Sequence, residues 1–388
     1  MKFTKNGALL VGYYFFAWIG GTMAWFVQPF YFSSLGYTYA QLGVIFSLMS
    51  ISQAVGFLFS GPLVLRLGYK RSIYIAVAFF AITRVIHVAI PIYSLLLLAS
   101  ISFGIGLAIE NPAFMSLLSS ASEDRHGIFS INWGAATIGG AIGTLLGGYI
   151  SSTLGYRWAL AIAAIFLPLQ AAFMMFVEED SNGFGRRLSI SKCSLIRIIA
   201  LSFPIAILGL GAGVILSYMG LWFKSSYGMS IAEVGIAFTL LQFVMGLGSF
   251  IAPHIASRTG TGRLIASFTA LSGIFITLMP ISSSFALALA LYSLRMLLVN
   301  TEVPIWDSYY VSHFHEGERA TAIALKGFGW TVAFAAGQFF GGIMFEGSLS
   351  LPLIVGGILH MLSATSFMTM ERVVSRFKAR SCTCEPGS

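Results

Sequence analysis

Two short stretches decide the architecture: FSSLGYTYAQLG, Phe32–Gly43, and KSSYGMSIAEVG, Lys224–Gly235. A shift of 192 residues lays one on the other, Ser on Ser and Gly on Gly. The same shift works outward. Gly56 meets Gly248, Arg66 meets Arg258, Gly68 meets Gly260, Arg71 meets Arg263, and Glu110-Asn-Pro112 meets Glu302-Val-Pro304. After a two-residue insertion Arg125 meets Arg319, and Gly147-Gly148 meets Gly341-Gly342. Apolar helices compared at random would agree in leucine and valine. Agreement in Gly, Pro, Arg and Glu marks an internal repeat. The chain is two copies of one unit.

That unit is a set of membrane spans. The chain has 388 residues, 57% of them hydrophobic and only 9% charged, whereas soluble domains average about 25% charged residues. Windows of about 20 apolar residues qualify as spans. Twelve are predicted: 8–32, 39–63, 71–90, 93–120, 128–152, 156–177, 197–222, 231–256, 263–281, 284–312, 320–345 and 349–370. The opening MKFTKNGALLVGYYFFAWIGG resembles a signal peptide, but its apolar run continues to Phe32, longer than a signal core of about 7–15 residues, so it is read as a retained first span. The expected fold is all-α and integral to the membrane, with two pseudo-symmetric six-helix bundles at 1–178 and 197–371. A cytoplasmic linker at 179–196 and a tail at 372–388 complete the division.

Seventeen loop and terminal lysines and arginines fall on the side of the termini, from Lys2 to Arg380, and two, Arg157 and Lys224, on the other. Basic residues favour the cytoplasmic side, so both termini are expected there, in the plasma membrane. The net charge of +8 is then a matter of topology and does not call for nucleic acid. Cys193, Cys382 and Cys384 lie outside the spans, with no disulfide framework and no metal-ligand spacing.

The loop after the second span reads GPLVLRLGYKR, Gly61–Arg71. It resembles the Gly-x-Leu-Ala-Asp-Arg-x-Gly-Arg-Lys loop of the major facilitator superfamily, matching at Gly61, Leu63, Arg66, Gly68 and Lys70. Leu65 stands where the family has Asp and Tyr69 where it has a basic residue. GGAIGTLLGG, Gly139–Gly148, resembles the glycine-rich motif of the family's drug/proton antiporters, with Thr144 in place of Pro, and GQFFGG, Gly337–Gly342, mirrors it. Gate packing and static helix packing both account for these glycines. The resemblance implies two halves rocking about a midplane site. It also implies a gating role for Gly61, Arg66, Gly68, Lys70, Arg71 and the repeated Arg258.

Ionisable groups inside spans cost about 2.5–3.5 kcal/mol each when unpaired at the centre, so they mark candidate sites. Glu233 starts its span and is set aside. Arg84, His87, Glu110, Arg295, Glu302, Asp307 and Lys326 remain. Arg295, Glu302 and Tyr309 are seven apart and share one helix face. At about 1.5 Å per residue, Asp307 and Lys326 lie at one depth on consecutive spans, which predicts an ion pair, with Glu302 also within reach of Lys326. Glu110 and Glu302 fit a proton-coupling or gating role, or inherited scaffold. Arg84 fits a substrate or proton site, and His87 a titrating group or a hydrogen-bonded core histidine. Trp25, Gln28, Gln53, Gln170, Tyr218, Trp222 and Tyr309 are candidate cavity residues, an aromatic set that favours an amphipathic solute.

No nucleotide-binding GxxxxGK[ST] loop, HExxH or GxSxG motif, or channel filter occurs. The expected activity is therefore secondary active transport of a small organic solute, proton-coupled and exported, by a monomer without enzyme activity or cofactor. Alternatives are a proton-coupled importer or facilitator of a polar metabolite, and a non-transporting sensor or scaffold on the same fold.

Overall fold

The structure, a computed structural model, describes residues 4–122, 124–179, 192–256 and 261–379. Among them the regular structure is helical, with no strand. The first six helices are α1 (Lys5–Ser34), α2 (Tyr39–Leu67), α3 (Tyr69–Ala89), α4 (Tyr93–Ser120), α5 (Arg125–Thr153) and α6 (Tyr156–Met175). The rest are α7 (Lys192–Leu216), α8 (Met219–Tyr227), α9 (Ile231–Ala256), α10 (Thr261–Leu278), α11 (Phe285–Val311), α12 (Glu316–Gly347) and α13 (Leu351–Ala379). Twelve carry apolar stretches long enough to cross a bilayer.

One prediction needs correction. The span placed at 197–222 ends at Leu216; Ser217 and Tyr218 interrupt it, and the short α8 follows. The apolar run passes through the break, so hydropathy alone cannot see it. Helix starts are better marked. Thr38 and Gln41 form a reciprocal cap on α2. At α9, the Glu233 carboxylate accepts from the Ser230 backbone N–H at 2.8 Å, which gives this acid a capping role.

Two compact units emerge. One gathers α1 to α6 with α8 and α9 up to Phe243; the other gathers α7, α9 from Val244, and α10 to α13. The packing units thus cross the two sequence repeats, since Ser217–Phe243 packs with the first. Most of the predicted linker, 180–191, lies outside the described residues, as do Arg258, Cys382 and Cys384; Cys193 lies in α7.

Within the first unit α5 lies against α1 on a ladder of glycines. A Cβ added at Gly139 would fall 2.7 Å from the Phe15 carbonyl oxygen, one at Gly143 would overlap that of Ile19, and one at Gly147 would fall 3.3 Å from that of Met23. Both series advance by one helical turn per step. In the second unit α12 meets α7 in the same way, Gly337 on the Leu210 carbonyl and Gly341 on that of Val214. Close backbone approach of this kind is what small residues provide in spans, where water gives no hydrophobic force between helices. Gly148 faces elsewhere. Its added Cβ would meet Gly235 Cα and the Ile231 carbonyl of α9, each at 3.0 Å.

The repeat is also visible in contacts. Gly56 of α2 packs on Ala108 of α4, and Gly248 of α9 packs on Asn300 of α11. Both partners are related by the 192-residue shift.

Candidate functional site

A cavity of about 490 Å³ opens within the first unit. Tyr14, Trp18, Thr22 and Trp25 of α1 line it, with Arg84 of α3, Phe103, Glu110 and Asn111 of α4, Phe166 and Gln170 of α6, and Gln242 of α9. Its wall is aromatic with a few fixed polar groups, the usual composition of a small-molecule pocket.

The two charges in this wall behave differently. Glu110 accepts a hydrogen bond from the Tyr13 hydroxyl; Tyr13 is fully buried and stacks on Phe114 at 5.5 Å. Arg84 is only 4% exposed. Its guanidinium sits 5.6 Å from the centroid of the Phe103 ring, a cation–π contact. Its Nη1 is buried with no hydrogen-bond partner. Arg84 and Glu110 line one cavity but form no ion pair among the described residues.

His87 does not join this cavity. It is buried, with Nδ1 3.4 Å from Gln28 Nε2 and its ring edge-on to Phe32. That is the hydrogen-bonded core histidine, and Gln28 goes with it. Gln53 is half-buried on α2, outside the cavity lining. Tyr218 and Trp222 are buried in an aromatic cluster of the same unit, against Phe46 and Phe223 respectively. Of the predicted cavity groups, Trp25 and Gln170 reach this cavity.

The second unit holds the repeat partner. Glu302 is fully buried, its Oε1 2.7 Å from Thr269 Oγ1 and its Oε2 without a partner. Thr269 Oγ1 also lies 2.8 Å from the Ile265 carbonyl oxygen. A threonine hydroxyl has one proton to give. If it goes to Ile265, the remaining contact is made by a protonated Glu302 donating to Thr269. Arg295, 3% exposed, lies 5.8 Å from the Tyr292 ring centroid and donates to Met296 Sδ at 3.0 Å.

Asp307 and Lys326 form the predicted ion pair, and the lysine also lies 5.4 Å from the Tyr310 ring centroid. Lys326 thus belongs to Asp307, and the partner of Glu302 is Thr269, not the lysine. Tyr309 is half-buried and donates to Glu371 at 3.3 Å.

The loop between α2 and α3 turns at Gly68, with φ 85°, a conformation that favours glycine. An acid from outside the loop meets it at the start of α3. The Glu179 carboxylate accepts from the backbone N–H of Tyr69 and, at 3.2 Å, of Lys70, at the start of α3. An anion suits that helix end. Lys70 Nζ in turn donates to the carbonyls of Met175 and Val177 at 2.9 and 3.0 Å. In the second unit Glu371 fills the corresponding place, where a Cβ on Gly262 would overlap its carboxylate. Gly61, Arg66 and Arg71 are exposed.

Tyr13, Thr269, Glu371 and His360 were missed by sequence reasoning. His360 is fully buried with Nδ1 on the Gly356 carbonyl and Nε2 unpartnered. As an ionisable group inside a span it carried a readable signal. Tyr13 and Thr269 carry no charge and gave none.

The family model of the Major Facilitator Superfamily matches residues 10–190 and 201–381, nearly the whole chain and in two pieces. The chain belongs to the major facilitator superfamily. Among curated proteins it is 20% identical to the uncharacterized MFS-type transporter YceJ of Bacillus subtilis (strain 168), over 86% of this chain and 88% of that protein. It is 21% identical to the chromaffin granule amine transporter of Rattus norvegicus, over 82% and 63%. It is 25% identical to a probable 4-methylmuconolactone transporter of Cupriavidus pinatubonensis, over 61% and 58%. Among solved structures, the nucleoside transporter NupG aligns over 94% of this chain and 99% of its own, with TM-score 0.77 and 14% identity. A bacterial homolog of the human lysosomal transporter Spinster, inward-facing and occupied, aligns over 94% and 96% with TM-score 0.75 and 15% identity. This member of the superfamily is a multi-pass membrane transporter with the twelve-span fold.

Proposed function

We propose that this protein is a proton-coupled secondary transporter that exports a small organic solute by alternating access. One observation carries the reading. Glu110 and Glu302 occupy equivalent places in the repeat, each two residues before a proline, and each carboxyl group is bonded to a hydroxyl. Neither has a cation partner in an ion pair among the described residues. A carboxyl group with a hydroxyl partner and no cation can carry a proton there and donate it to that hydroxyl. Exposure to water on either side of the membrane favours release, which gives the two conformations different proton affinities. The resemblance of the Gly139–Gly148 motif to that of the drug/proton antiporters supports export, although Thr144 stands in place of their Pro. The test is flux. Proteoliposomes with a trapped pH dye and an imposed gradient are challenged with a library of acids, amines and neutral solutes. At least one solute should discharge the gradient only when protein is present. Solute movement with no change in the dye would replace coupling by facilitated diffusion, and gradient-driven uptake in the opposite sense would make the protein an importer.

The same reading takes the protein as a plasma-membrane monomer, and the seventeen-to-two partition of basic residues supports cytoplasmic termini. In a variant lacking Cys193, Cys382 and Cys384, a cysteine at Ser348 should react with an impermeant reagent from outside. A cysteine at Asn182 should react only after permeabilisation. The reverse pattern would invert the topology.

A further inference from the structure

The cavity of the first unit holds a guanidinium and a carboxyl group that do not pair with each other, and this asymmetry selects a ligand. We propose that the cavity takes an organic anion, an aromatic or similarly apolar carboxylate, with Arg84 as its recognition residue. The inference rests on the transporter reading above and names its substrate class.

A guanidinium carries five N–H donors and cannot shed its charge. For Arg84 no hydrogen-bond acceptor is found among the described residues, its Nη1 is sealed from solvent, and the side chain is 4% exposed. Phe103 offers it a ring face only. Burial of an unpaired cation costs several kcal/mol. A carboxylate arriving in the cavity would offset that cost with two parallel N–H···O bonds, the geometry in which Arg and carboxylate match.

Glu110, the other charge in the wall, is the alternative anchor and would favour an amine. Its Oε1 already accepts from Tyr13, so its need for a partner is partly met, while that of Arg84 is not. A cationic ligand in the same cavity would also meet the charge of Arg84. The remaining elements around Arg84 bring no further charge: the lining residues of α1, α6 and α9 are aromatic, aliphatic, hydroxyl and amide groups. His87, one turn along α3, is engaged with Gln28. The apolar body of the ligand has a matching wall in Trp18, Trp25, Phe103 and Phe166, and Asn111, Gln170 and Gln242 supply amides for further polar groups.

Three probes share one ring and one tail and differ in charge: phenylacetate, phenylacetamide and phenethylamine. Binding to the purified full-length protein is read by calorimetry and by quenching of tryptophan fluorescence. A hydrogen bond to a charged group is worth about 1.5–3 kcal/mol, so phenylacetate should bind at least about tenfold more tightly than the amide. Phenethylamine should bind more weakly still. Arg84→Gln should remove the preference for the acid, and Arg84→Lys should keep part of it. Should Arg84→Gln not fold by its melting curve, the wild-type ranking of the three probes and the Arg84→Lys variant decide. Tighter binding of the amine, a wild-type preference for the amide, no saturable binding of phenylacetate at millimolar concentration, or acid binding unchanged in a folded Arg84→Gln would each overturn the assignment. Binding requires no transport. Phenylacetate that binds leaves the anion site standing even where no solute of the library discharges the pH gradient, the outcome that would sink the coupled-transport reading.

Discussion

Gly143→Leu is expected to deprive the protein of most of its folded population. The reason lies in what faces the residue. Gly143 sits in the middle rung of the α1–α5 ladder, where an added Cβ would overlap the Ile19 carbonyl oxygen and fall 3.1 Å from its carbonyl carbon. Backbone cannot rotate aside as a side chain can. The helices must separate, and separation also loosens the rungs at Gly139 and Gly147. Overpacking a core costs about 1–3 kcal/mol and occasionally more, and here three close contacts are lost together. Gly134→Leu is the control. It lies on the same helix, is exposed, and has no atom within 4 Å of its added Cβ. Size-exclusion profiles and melting curves of the two variants should differ clearly, with Gly134→Leu close to wild type. A wild-type melting curve for Gly143→Leu would mean that the α1–α5 contact is not the tight joint described. The same logic applies to Gly337 against Leu210 in the second unit.

These glycines also show what the sequence makes legible. The repeat could be read because its matches fall in residues that backbone approach or helix bending requires, and the contacts of Gly56 with Ala108 and Gly248 with Asn300 bear it out. The pairing of Asp307 with Lys326 followed from depth alone, since rise per residue is nearly constant in a helix. The break at Ser217 and Tyr218 could not be read, because neither residue is a helix breaker and the apolar run is continuous across them. Nor could the role of Glu179. The absence of an acid at Leu65 was visible, but the acid that meets this loop comes from beyond α6, over 100 residues away in sequence, and only packing brings it to Tyr69. The glycines of the α5 motif face different neighbours. Gly139, Gly143 and Gly147 face α1, whereas Gly148 faces Gly235. The sequence GGAIGTLLGG shows the spacing and not which face each residue presents.

Glu302→Gln should abolish transport driven by a pH gradient, at least about tenfold in initial rate, while counterflow exchange persists. Glutamine mimics the neutral acid. Its amide can donate to Thr269 Oγ1 as the protonated carboxyl would, and Thr269 keeps its bond to the Ile265 carbonyl. Folding is therefore retained, and what is lost is the ability to let the proton go. Pro304 removes one backbone hydrogen bond, to the carbonyl of Asn300 one turn earlier. The helix is thus soft two residues from the acid, where a change of conformation would alter its surroundings. Glu110 and Pro112 repeat the arrangement on α4, where the partner is Tyr13. Glu110→Gln should weaken coupling in the same direction. Counterflow exchanges labelled for unlabelled solute with no net proton movement, so it reports binding and rocking alone. Loss of both activities in Glu302→Gln would make the residue structural or substrate-binding. Wild-type dependence on the gradient in both variants would leave the two glutamates as scaffold and move the search for the coupling group to His360, buried in the same unit as Glu302.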